Sequence, residues 1–117
     1  MVKVEVEHRK IHMLFPIPND FRGKYRGPNS GKKYVIEVEK CIKNIKSKKR
    51  GLGGFIIEPI LSCGGQVELP KGFLKDTYKL IRKNGGICIS DEVQVGCGRL
   101  GKAVSYTHLT LPTIRMV

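Results

Sequence analysis

Two short apolar runs, Phe55-Ile56-Ile57 and Ile87-Cys88-Ile89, each follow a stretch with helical periodicity and each end at acidic residues, Glu58 in one case and Asp91-Glu92 after Ser90 in the other. No polar residue alternates within either run, so a strand made from one carries apolar side chains on both of its faces. Strands of that kind, separated by helices, belong to parallel sheets covered on two sides, and the implied fold class is α/β. The same pattern sets a limit. Two buried strands and two helices cannot cover both faces of a parallel sheet, so the chain is expected to be part of a larger domain.

The helices are marked by their apolar faces. Tyr34, Val38, Cys41, Ile42 and Ile45 recur at helical spacing and predict a helix over residues 32–47, with Lys33, Glu37, Lys40, Lys43 and Lys46 on its polar side. Ser30 is the expected cap, and Gly51, Gly53 and Gly54 the expected stop. Phe73, Leu74, Tyr78 and Ile81 predict a second helix over 72–84, closed by Gly85-Gly86. Upstream, Val2, Val4 and Val6 alternate with charged residues as in a short strand, and residues 15–31, with three Pro, three Gly and two Asn, read as a loop.

The charge is strongly unbalanced: 22 Lys and Arg against 10 Asp and Glu, net +12 on 117 residues. A basic nucleic-acid-binding module is therefore the alternative to weigh, and Lys40, Lys43, Lys46, Lys48, Lys49 and Arg50 are its best support. The steps of three place the first of these on the solvated side of an amphipathic helix, and aromatic side chains suited to stacking on bases are scattered. The expectation is no nucleic-acid partner. No apolar run approaches the ~20 residues of a membrane span, and no apolar signal segment follows the N-terminus, so an intracellular, cytoplasmic protein without membrane contact is expected. The cysteines, Cys41, Cys63, Cys88 and Cys97, lie 22, 25 and 9 residues apart. That spacing fits no zinc site, and none is expected.

Two glycine motifs mislead. Gly96-Cys97-Gly98-Arg99-Leu100-Gly101 spells G-x-G-x-x-G, but residues 91–95 separate it from the strand and no acidic residue stands about 20 positions on. Gly96 to Lys102 spells G-x-x-x-x-G-K, yet Ala103 occupies the position where a nucleotide-binding loop needs Ser or Thr. Both read as a glycine-rich turn. Glu58 and Asp91 are more informative, because ligands of open α/β sheets sit at the carboxyl ends of strands. At that edge Asp91 is able to hold a metal, act as a base, or pair with a cationic cofactor ring, and its position alone does not choose among them.

The segment from Gly54 to Lys102 resembles the class III (fold type I) pyridoxal-phosphate-dependent aminotransferases, chiefly in Phe55-Ile56-Ile57-Glu58-Pro59-Ile60 and in the stretch Ser90-Asp91-Glu92-Val93-Gln94-Val95-Gly96-Cys97-Gly98-Arg99-Leu100-Gly101. The resemblance implies part of the large domain of such an enzyme, a mostly parallel sheet with flanking helices, and pyridoxal 5'-phosphate as cofactor. It implies that Asp91 pairs with the protonated pyridine nitrogen, that Gln94 hydrogen-bonds the phenolic oxygen, and that Val93 packs on the ring, against the plainer reading of Val93 as a core residue. Glu58 and Cys63 fall near the substrate. Many family members carry Glu where Cys63 stands. The stretch Ser62-Cys63-Gly64-Gly65-Gln66 and the basic loop Phe21-Arg22-Gly23-Lys24-Tyr25-Arg26-Gly27 are more similar to the branch of ethanolamine-phosphate and phosphohydroxylysine phospho-lyases. The implied substrates are small amines or amino-alcohol phosphates. Arg22, Lys24 and Arg26 either serve a phosphate or are solvated loop charges.

The family's Schiff-base lysine has no counterpart here, since Lys102 lies too close to Asp91. No residue of this chain is therefore expected to be catalytic, the chain is expected to be inactive alone, and the complete enzyme is expected to be a homodimer. Residues 1–103 are expected to be the native part. Val104 to Thr113 read VSYTHLTLPT, a peptide encoded by a transposase adapter of sequencing libraries, so residues 104–117 are expected to be a non-native tail. Sequencing the genomic template past codon 103 is predicted to yield different codons from position 104 onward; the same ten codons in genomic DNA overturn that expectation.

Overall fold

The computed structural model describes residues 3–6, 12–62 and 64–96. Cys63, most of the glycine motif that begins at Gly96, and the tail from residue 104 lie outside the described residues. The elements in chain order are β1 (Lys3–Val6), β2 (His12–Leu14), α1 (Ser30–Ser47), β3 (Leu52–Ile57), β4 (Ile60–Leu61), β5 (Val67–Glu68), α2 (Phe73–Lys83) and β6 (Ile87–Ser90). The main sheet has the order β2-β1-β3-β6. The parallel pairing expected of an α/β unit is that of β3 with β6, running from Gly54 opposite Ile87 to Ile57 opposite Ser90. β1 is antiparallel to both β2 and β3, which adds an antiparallel edge to the parallel pair. β4 and β5 form a separate two-stranded hairpin.

Both helices pack on one face of the sheet. Tyr34, Val38, Ile42 and Ile45 of α1 are buried, as are Phe73, Leu74, Tyr78 and Ile81 of α2, together with Phe55 and Ile57 of β3. Phe15 lies between Phe55 and Phe73, with ring centroids 6.0 and 6.2 Å away, and Tyr78 meets Phe55 edge-on at 6.1 Å. The apolar faces read from periodicity are thus the core, except that Cys41 is only half-buried.

Four expectations change. Ser30 is not a cap: it begins α1 and is buried, while Asn29 takes the cap position without a side-chain bond. Gly53 and Gly54 do not terminate α1 but lie inside β3. There Gly54 is opposite Ile87, and a Cβ would meet the Ile87 Cγ1 at 3.0 Å, so close strand packing accounts for the missing side chain. The third change concerns the two-sided burial expected of β6. Cys88 and Ser90 are half-buried, but Ile87 is 64% and Ile89 39% exposed, because both helices lie on the opposite face. The last is β2, a three-residue strand too short to announce itself by periodicity. The stop of α2 is as expected: the Gly86 N–H donates to Ile81 O at 3.1 Å and the Gly85 N–H to Arg82 O at 3.0 Å.

The loop before α1 is clipped to the helix by polar bonds. The Tyr34 hydroxyl donates to Asn19 O and accepts from the Tyr25 N–H, each at 3.1 Å. Glu37 Oε1 accepts from the Tyr25 hydroxyl, from Lys40 Nζ at 3.1 Å and from Lys24 Nζ at 3.3 Å. The Tyr25 hydroxyl, then Lys40 and Lys24, hold the Glu37 carboxyl down from 4.5 to about 2. A carboxyl depressed by folding contributes stability that is complete above its unfolded value and disappears as the pH falls through the folded one. The melting temperature is therefore predicted to fall more steeply between about pH 5 and 2 in the wild-type protein than in Glu37→Gln, as read by thermal denaturation across that window.

Candidate functional site

The parallel register brings the two candidate carboxylates together in sequence position. Ile57 is opposite Ser90, and the Asp91 N–H donates to Ile57 O at 2.9 Å, so the ladder continues one step past β6. Glu58 and Asp91 therefore leave neighbouring parallel strands at the same carboxyl edge, as the sequence reading required. Each carboxylate also organises its own turn. Glu58 Oε2 accepts from the Ser62 N–H at 2.8 Å and from the Ser62 hydroxyl at 2.9 Å, tying β3 to the β4–β5 hairpin. Asp91 Oδ1 accepts from the Val93 N–H at 3.2 Å, and among the described residues Oδ2 has no partner.

After Asp91 the chain turns at once. Glu92 O accepts from the Val95 N–H at 3.2 Å and the Gly96 N–H at 2.7 Å. A Cβ at Gly96 would lie 2.8 Å from that same oxygen, so the close turn requires glycine. Val95 is buried, whereas Val93 is 84% exposed and Gln94 is exposed as well. This overturns the reading of Val93 as a core valine: the core valine of the turn is Val95. Asp91, Val93 and Gln94 thus share one short turn at the strand edge. Their neighbour Glu92 differs from them, with its Oε1 buried and unpartnered among the described residues, as is the Ser90 Oγ.

The basic loop divides into separate roles. Lys24 is held by Glu37 and lies 5.1 Å from the Tyr25 ring centroid, so it acts in the clip to α1. Arg22 stacks over Phe21 at 5.5 Å and lines a cleft of about 370 Å³ between residues 19–22 and 65–68. Asp20 and Glu68 line it too, so the cleft is of mixed charge. Arg26 is exposed. Sequence reasoning missed Ser62, which engages Glu58. The short spacing of Ser62 from the strand-ending Glu58, four residues on, was the available signal.

With this geometry in place, comparison with known proteins identifies the class. The aminotransferase class-III profile matches residues 8–113, and the chain belongs to that family. It is 37% identical over 103 residues to the ethanolamine-phosphate phospho-lyase homolog 1 of Caenorhabditis elegans, an alignment covering 79% of this chain and 22% of that protein. It is 38% identical over 117 residues to the mitochondrial alanine–glyoxylate aminotransferase 2 of Homo sapiens, covering 83% and 23% respectively. A Drosophila melanogaster alanine–glyoxylate aminotransferase 2-like protein is 38% identical over 96 residues, covering 78% and 19%. The chain thus spans about a fifth of the length of the curated relatives it matches. No helix among the described residues is long and apolar enough to cross a membrane.

The Gly96 contact generates a prediction. In the full-length protein that contains this segment, Gly96→Ala is expected to displace the turn and expose Val95. Limited proteolysis should then cut between Asp91 and Gly96 faster than in the wild type, and an unchanged cleavage rate overturns the expectation.

Proposed function

We propose that this chain supplies the ring-nitrogen side of the active site in a pyridoxal-phosphate-dependent enzyme acting on small amines. The single observation that carries the reading is the Asp91 turn. It puts a carboxylate with one unpartnered oxygen among the described residues at the carboxyl edge of a parallel strand pair, beside an exposed amide and an exposed valine. That donor set fits a protonated pyridine ring. When bound, pyridoxal 5'-phosphate supplies an electron sink for the bond-breaking at the carbon bearing the amine. Asp91 keeps the ring-nitrogen proton in place as its counter-ion. Gln94 offers its amide to the phenolic oxygen, and Val93 covers a ring face. Glu58, oriented by Ser62, is assigned to the substrate side, and Cys63 is assigned there by the family likeness alone. The lysine that holds the cofactor is not assigned to this chain, which on this reading does not act alone, and the complete enzyme is a homodimer. On the adapter likeness alone, residues 1–103 are assigned to the native large domain and the remainder to a foreign tail, while the family profile extends to residue 113.

Within this reading the substrate is an amino-alcohol phosphate. The support is the likeness of the 21–27 and 62–66 stretches to phospho-lyases, together with the match to a relative of that name. An aminotransferase acting on an amino acid is the second reading, supported by the matches to alanine–glyoxylate aminotransferase 2.

The full-length product is predicted to bind pyridoxal phosphate with visible absorption, and Asp91→Ala to weaken that binding by at least about tenfold, since the ring cation loses its charge-assisted partner. A product that takes up no cofactor overturns the proposal. Phosphoethanolamine is predicted to yield inorganic phosphate and aldehyde; transfer of its amino group to a keto acid without phosphate release selects the aminotransferase reading instead.

A further inference from the structure

The cleft between residues 19–22 and 65–68 has two walls, and each is held by hydrogen bonds of its own. One wall is the tip of the loop before α1. Asn19 Oδ1 accepts from the Phe21 and Arg22 N–H groups, each at 2.9 Å. Asn19 O accepts from the Gly23 N–H and from the Tyr34 hydroxyl, both at 3.1 Å. Tyr34 is fully buried, so the tip is anchored in the core. A Cβ at Gly23 would collide with Asn19 O and with the Tyr34 hydroxyl, so this turn requires glycine. The other wall is the turn between β4 and β5. Ser62 O accepts from the Gly65 and Gln66 N–H groups, each at 3.3 Å. Gln66 takes a left-handed φ of 57°, a conformation uncommon for a residue with a side chain and one that recurs at ligand sites.

Charges of both signs line the space between these walls, Asp20 and Arg22 on one and Glu68 on the other. All three are exposed, and none forms an ion pair among the described residues. The cleft thus presents opposite charges that do not neutralise each other. A simple anion drawn to Arg22 is repelled by the two carboxylates, and a simple cation drawn to the carboxylates is repelled by Arg22. A molecule carrying both an ammonium and an anionic group satisfies each set at once. We propose that this cleft is a binding site for a small dipolar amine, with its anionic group on Arg22 and its ammonium on Asp20 and Glu68. The guanidinium fork takes a phosphate or a carboxylate equally well. The Gln66 amide adds a neutral polar contact, and the Phe21 ring, 74% exposed, offers apolar surface to the carbon chain. The volume of about 370 Å³ is in the range of small-molecule sites. Because both walls are fixed in advance, little ordering opposes binding. The site is built from residues other than those of the Asp91 turn, and it does not depend on assigning Asp91 to a cofactor.

The test is hydrogen exchange read by mass spectrometry on the full-length protein that contains this segment. Four probes are titrated: phosphoethanolamine and β-alanine as dipolar amines, inorganic phosphate as a simple anion, and ethylamine as a simple cation. At least one dipolar amine is expected to slow exchange in both segments 19–23 and 64–68, at concentrations where inorganic phosphate and ethylamine do not. The dipolar amine that acts at the lower concentration identifies the anionic group as phosphate or carboxylate. Arg22→Gln and Glu68→Gln are each expected to raise the midpoint of that protection about tenfold, through loss of one charge-assisted contact. Both side chains are exposed, so the melting temperature of each variant is expected to match the wild type. Absence of protection in these segments with either dipolar amine overturns the site. So does equal protection by inorganic phosphate or ethylamine alone, and so does protection that survives both substitutions. A protein that takes up no pyridoxal phosphate but shows the protection keeps the cleft and loses the cofactor reading, whereas one that binds the cofactor and shows none loses the cleft alone.

Discussion

The register of β3 against β6 is the interaction on which the site depends. With Ile57 opposite Ser90, the two strands end level, and the Asp91 N–H to Ile57 O bond carries the alignment past the end of β6. A parallel strand slipped by one residue would exchange the faces of every side chain along it. Asp91 would then move to the helix side, and Glu92 to the open edge. The position of the Asp91 carboxylate is thus set by the apolar packing of Phe55 and Ile57 beneath α1 and α2, since that packing fixes which face of β3 is inward. Chemistry at the edge and burial in the core are determined by the same register.

The asymmetry of the core follows from the order of elements. Both helices share one sheet face, so the aromatic cluster of Phe15, Phe55, Phe73 and Tyr78 forms on that side. The strong positive charge has a local structural account in part. Lys24 and Lys40 converge on Glu37, and Lys43 pairs with Glu39 at 3.0 Å, so these charges serve helix and loop contacts. Exposed pairs of this kind contribute little each, but the Tyr25 hydroxyl and two ammonium groups on one carboxylate form a network that holds the loop in place.

Much of this was legible in the residues. The two helices were visible because their apolar positions repeat at 3.6 residues, and Glu58 and Asp91 were visible because each follows an apolar run. The hidden features depended on partners distant in sequence. Gly53 and Gly54 look like a helix stop, and only the approach of Ile87 shows why a strand carries them. β4 and β5 have two residues each, too few for any period to appear. The exposure of Ile87 and Ile89 could not be read from an apolar run, because burial depends on which face receives the helices. The likeness of the 90–101 stretch to a known family supplied roles for Asp91 and Gln94 that no periodicity contains; for Val93, structure separated the exposed residue from its buried neighbour Val95.

Relatives bearing the names of two different reactions, phosphate elimination and amino transfer, match this same segment at 37–38% identity. A shared segment under divergent reactions points to the step both have in common, and on the proposed reading that step is the handling of the ring by the Asp91 turn. The difference between the reactions must then come from elsewhere. Within the described residues Glu58 with Ser62 stands at the same edge outside that turn, and the hairpin that follows lines a cleft with residues 19–22. Ser62 already occupies one oxygen of Glu58, which fixes the β4–β5 hairpin relative to β3 and therefore the wall of that cleft. A change in the hairpin can thus reshape the cleft without moving Asp91, because the two are tied to different strands, β3 and β6, and meet only through the ladder between them. On the proposed reading, such a separation allows the hairpin side to diverge while the Asp91 turn stays constant, consistent with function residing in sites carried by a common fold.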